Sequence, residues 1–112
     1  MICSRWRFWC LVEQACGALP KHVRRRLRNV AVVVEDGPPV GEDGDTLGYY
    51  QGTPIGERGL SYSMVLPDKI SIYRAPLLAA CRSQRELRQE IQLTVLHEVG
   101  HYFGLGEDDI PF

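Results

Sequence analysis

Apolar residues recur at every fourth position through Leu87, Ile91, Val95 and Val99, and Leu96 and Phe103 broaden the stripe. That period predicts a helix with one buried face. Ser83, three residues ahead of Glu86, reads as a capping box that starts this helix near Gln84, and Gly104 and Gly106 end it. The β-branched run at residues 30–35 has no alternation, which predicts a strand covered on both faces and therefore central. Residues 69–74 alternate polar positions with Ile70 and Ile72, the pattern of a half-buried strand. A short strand is expected at residues 47–51, followed by a turn-rich connection at 52–59. Residues 6–18 predict a helix ended by Gly17 and Leu19-Pro20, with a further helical turn over 21–28 and the start of a short helix over 76–81. Residues 36–45 form a Gly/Pro/acid loop. The order predicts an α+β fold, a small mixed sheet packed against a C-terminal helix and an N-terminal helix.

Length and composition narrow this picture. A chain of 112 residues buries roughly two thirds of its unfolded surface, enough for one core. No repeat is visible, and a single domain over residues 1–112 is expected. The net charge of −1 offers no global field for nucleic acid or an anionic membrane. Residues 21–28 hold most of the basic charge of the N-terminal part without interleaved aromatics, which fits a solvated helix face rather than a phosphate site. Residues 8–12 are too short for a signal segment or a membrane span. Cys3, Cys10, Cys16 and Cys81 form no C-x-x-C pair. A cytoplasmic chain with reduced thiols is expected, without nucleic-acid or membrane partners.

The candidate chemistry sits on the last turns of the C-terminal helix. His97-Glu98-Val99-Gly100-His101 is an H-E-x-x-H pattern. Residues four apart on a helix stand one above the other, so His97 and His101 offer two imidazoles to one metal ion. Glu98 lies roughly 100° round the helix from His97 and reaches a water beside the metal rather than the metal itself. The expected cofactor is a zinc ion.

Such a site needs a third protein ligand. Eleven residues follow His101, too few for a second long helix to return a distant glutamate. The ligand is therefore expected in the acidic turn that follows Gly104. Glu107 is the first choice because it extends the motif to H-E-x-x-H-x-x-G-x-x-E; Asp109 and then Asp108 come after it. The only methionines, Met1 and Met64, precede the motif, so a Met-turn of the metzincin kind is not expected.

Three runs in order carry a family resemblance: Tyr50-Gln51-Gly52-Thr53-Pro54-Ile55-Gly56-Glu57-Arg58-Gly59, Leu66-Pro67-Asp68-Lys69-Ile70-Ser71-Ile72-Tyr73-Arg74, and residues 94–104 around the histidines. With Leu19-Pro20 and residues 29–35, the chain from about residue 11 onward resembles the small bacterial family of minimal zincin-like metallopeptidases. The resemblance implies a zincin-like α+β fold and a zinc-dependent peptidase acting on a peptide or protein substrate. Glu98 would then act as general base. An extended substrate would align along a sheet edge, with residues 47–51 and 70–73 as the candidate strands. The alternative is a zinc-binding module, or pseudo-enzyme, that holds the metal without a competent cleft.

Overall fold

The protein is described from a computed structural model, which covers residues 2–52 and 67–106. Its C-terminal helix α4 spans Gln84–Tyr102. The Ser83 hydroxyl caps it by accepting a bond from the Glu86 amide at 3.1 Å. The Glu86 carboxylate reaches back to the Arg82 amide at 3.4 Å, one residue beyond the Ser83 amide that a reciprocal capping box would engage. Leu87, Ile91, Val95 and Val99 are buried, as their spacing predicts.

Helix α1, Arg5–Gly17, is capped by Ser4 and turns Phe8, Leu11, Val12 and Ala15 into the same core. The i, i+3, i+4, i+7 spacing of these four puts them on one side, and α1 packs against α4. Among the described residues there are two further short helices, α2 at Lys21–Arg24 and α3 at Arg74–Ala80. No described helix is long and apolar enough to cross a membrane.

Three strands, β1 (Val30–Glu35), β2 (Gly48–Gln51) and β3 (Asp68–Tyr73), form a mixed sheet in the order β1-β3-β2. β3 pairs parallel with β1, Val32 opposite Ile70, and antiparallel with β2, Tyr49 opposite Ser71. The strand expected at the centre, β1, therefore sits at the border of the described sheet, and its valines are only half-buried. β3 holds the centre and is covered on both faces. Ile70 and Ile72 meet the helices, while Ser71 and Tyr73, on the opposite face, are buried as well. Alternation suggested a solvated side because Ser71 is polar, but its hydroxyl is satisfied by a 2.7 Å bond to Glu35 on β1. Burial of a polar residue needs such a partner, and the partner is 36 residues away.

Tyr102 fastens the end of α4 to the entry of the sheet. Its ring is fully buried. Its hydroxyl accepts from the Arg28 amide at 2.8 Å and faces the Arg28 carbonyl at 3.0 Å. The next residue, Asn29, adopts φ 56, and its carbonyl takes the Asp68 amide at 2.8 Å, which starts the β1–β3 ladder.

Candidate metal centre

Helix periodicity brings His97, Glu98 and His101 together at the C-terminal end of α4. One ligand atom from each lies within 4.8 Å of the others. The two imidazole rings stand edge to face, 4.9 Å between centroids. Both histidines are half-buried, and Glu98 is only 6% exposed. Among the described residues this is the group of His, Cys, Asp and Glu side chains able to hold a metal ion.

The way α4 ends prepares one of these imidazoles. Gly104 takes φ 87, a left-handed conformation that glycine enters without steric cost. The chain reverses there: the Leu105 amide bonds the Gly100 carbonyl at 3.1 Å and the Gly104 amide bonds the His101 carbonyl at 2.9 Å. This is a Schellman stop. It aims the Leu105 carbonyl at His101 Nδ1, 2.9 Å away. A carbonyl only accepts, so Nδ1 carries the proton and the lone pair sits on Nε2. An orienting bond of this kind fixes the tautomer that a metal-binding histidine needs. Two imidazoles, one of them pre-set, converging with a carboxylate make a donor set that suits zinc.

Glu107, Asp108 and Asp109, the candidates for a third ligand, lie outside the described residues. The described chain runs to Gly106, which with Leu105 and His101 lines a groove beside the site.

Strand β2 crosses α4 directly over Glu98. A Cβ built on Gly48 would lie 2.8 Å from Thr94 Cγ2 and 3.4 Å from Glu98 Cγ, so only glycine permits this approach. Gly48 and Glu98 are common to two grooves, one of about 360 Å³ toward Leu93 and His97 and one of about 420 Å³ toward His101 and Gly106. Together they flank Glu98 along β2. The Tyr73 amide bonds the Leu47 carbonyl at 2.9 Å, which sets the antiparallel alternation: Tyr49 and Gln51 bond toward β3, while the amides and carbonyls of Gly48 and Tyr50 point away from it. Of the two strands considered for substrate, residues 70–73 are paired on both sides, and β2 alone borders the groove.

Sequence spacing placed the two histidines and Glu98 correctly with respect to each other. It did not single out Gly48, although a glycine inside a strand marks a close backbone approach. Nor did it single out the Leu105 carbonyl, because a backbone acceptor leaves no trace in residue type. Tyr102, attached to the motif, points away from the metal face, toward Arg28, and serves packing. Of the other tyrosines, Tyr50 gives its hydroxyl to Asp68.

A helix carrying His, Glu and His on adjacent turns beneath a sheet strand is the metal-site architecture of the zincins. The family profile for zincin-like metallopeptidases matches residues 27–111, and the chain belongs to that family. No curated protein shows a significant match. Among solved structures, a conserved hypothetical protein from T. thermophilus is similar, with 27% identity and a TM-score of 0.61 over 90% of this chain and 94% of that one.

Proposed function

We propose that the protein is a zinc-dependent peptidase, with His97, His101 and Glu107 as metal ligands and Glu98 as general base. The observation that carries this reading is the place of Glu98: nearly buried, beside both imidazoles, at the junction of two grooves under β2. A metal site that only braces a fold closes its coordination with protein ligands and needs no such acid. Zinc held there supplies a Lewis acid and a bound water whose pKa falls to about 7.

The protein's own groups account for the rest. An extended peptide adds as a strand beside β2, at the Gly48 backbone that faces away from β3. This lays the scissile bond across Glu98. The Glu98 carboxylate takes the proton of the attacking water and later returns it to the departing amine nitrogen. The Leu105 carbonyl keeps His101 in the tautomer that carries its lone pair on Nε2.

Zinc per chain and hydrolysis of a mixed peptide library, measured for wild type, Glu98→Gln and Glu107→Ala, test the reading. Glu98→Gln is expected to retain zinc and to lose hydrolysis by about 100-fold or more. Glu107→Ala is expected to bind zinc more weakly; unchanged affinity would move the third ligand to Asp109. Wild-type protein that binds zinc and cleaves nothing would indicate a zinc-binding module, and wild type without zinc would remove the proposal altogether.

A further inference from the structure

The groove on the His97 side of Glu98 has a chemical character of its own. Leu47 and Leu93 form walls, Thr94 lies between them, and Glu90 stands at the end remote from the metal ligands. Leu93 is 44% exposed, an apolar surface left open beside the candidate metal centre. Glu90 precedes His97 by two helical turns, roughly 10 Å along the axis. It is half-buried and joins no ion pair among the described residues. Its neighbours one turn away are Glu86 and Thr94, so no cation on α4 offsets its charge at i±4. Only its backbone carbonyl is engaged, by the Thr94 hydroxyl at 2.7 Å. Among the described residues the carboxylate thus has no neutralising partner, and the slot it stands in is mostly apolar.

A side chain that satisfies both halves of this slot has an aliphatic stem for the two leucines and a cationic head for Glu90. Lysine and arginine do. A leucine or norleucine of the substrate would cover the walls while drying the carboxylate without a partner, and a glutamate would face it charge to charge. We propose that the groove is a side-chain subsite selective for lysine or arginine, with Glu90 as the residue that sets the specificity. The proposal rests on the peptidase reading above and names its substrate class: extended peptides with a basic residue next to the bond that lies over Glu98.

Binding rather than turnover tests it. Zinc-loaded Glu98→Gln protein is titrated, by fluorescence anisotropy, with short labelled peptides identical except for arginine, norleucine or glutamate at one position. That position is moved across both sides of the central bond. The arginine peptide is expected to bind about tenfold tighter than the norleucine peptide at low salt. In a Glu90→Gln background the preference should shrink to about twofold or less, and in Glu90→Lys it should pass to the glutamate peptide. Equal affinities, no binding, or a preference for arginine that survives Glu90→Gln would overturn the proposal. Hydrolysis of the same peptides by wild type is scored separately. Selective binding without cleavage leaves the subsite standing and removes the peptidase; cleavage without selectivity does the reverse.

Discussion

Replacing Gly48 by alanine tests whether the spacing between β2 and α4 sets the position of Glu98. The new Cβ would lie 2.8 Å from Thr94 Cγ2, 3.0 Å from the Ser71 carbonyl oxygen and 3.4 Å from Glu98 Cγ. The contact to Glu98 is an ordinary one, but neither of the two closer groups gives way easily. Thr94 is held by its 2.7 Å bond to the Glu90 carbonyl, and the Ser71 carbonyl belongs to the central strand. β2 must therefore lift from the helix. Overpacking of this kind costs about 1–3 kcal/mol, against about 0.4–1 kcal/mol returned by a stiffer unfolded chain. A net loss of about 1–2 kcal/mol is expected in urea unfolding. Activity should fall further than stability, since a misplacement of about 1 Å in a reacting geometry can cost about 100-fold. Thr94→Ser in the same chain removes the methyl and keeps the hydroxyl bond. It should recover about 0.5–1 kcal/mol as a coupling that neither single substitution shows. Full stability and activity in Gly48→Ala would refute the claim that bare backbone at this point is required.

Gly104→Ala forces a side chain into φ 87, costs about 1–2 kcal/mol, and withdraws the Leu105 carbonyl from His101; zinc affinity, measured by chelator competition, should fall about 10- to 100-fold. Tyr102→Phe removes the hydroxyl bonds to Arg28 and should lower stability by about 1–2 kcal/mol, with zinc affinity unchanged because the phenol faces away from the metal ligands. The Glu35 carboxyl is held below its ordinary range, first by the Ser71 hydroxyl bond and then by Lys69, with burial opposing both. A pKa lowered in the folded state gives stability that is present above the unfolded value and lost as the pH falls through the folded one. Ser71→Ala should therefore narrow the gap between neutral and acidic stability. The effect should stay below about 1 kcal/mol, because the Glu35 side chain is 41% exposed, and urea titrations between neutral pH and pH values near 4 would read it.

The parts of this molecule that are legible in its sequence share one property: their determinants are close together along the chain. The helix period of Leu87, Ile91, Val95 and Val99, the Ser83 cap and the stop at Gly104 all act within a few residues, and each is found where its signal stands. The same holds for His97, Glu98 and His101, whose mutual geometry is a consequence of helical rise alone. Strand order is different. Five apolar residues in a row made β1 look central, yet centrality depends on who pairs with whom, and among the described strands the one with the weaker pattern, β3, holds the middle because β1 and β2 both pair with it. Ser71 looked like a solvent position because nothing nearby announces the carboxylate of Glu35 that satisfies it. The groove beside the site belongs to this second kind. On the helix alone, Glu90 is an ordinary surface acid and Leu93 an exposed leucine. They become the end and wall of a groove only when Leu47 and Gly48, more than forty positions earlier in the chain, are laid against α4. A metal-binding group carried on one helix can thus be read from spacing, whereas a groove built between a helix and a strand has to be read from their contact.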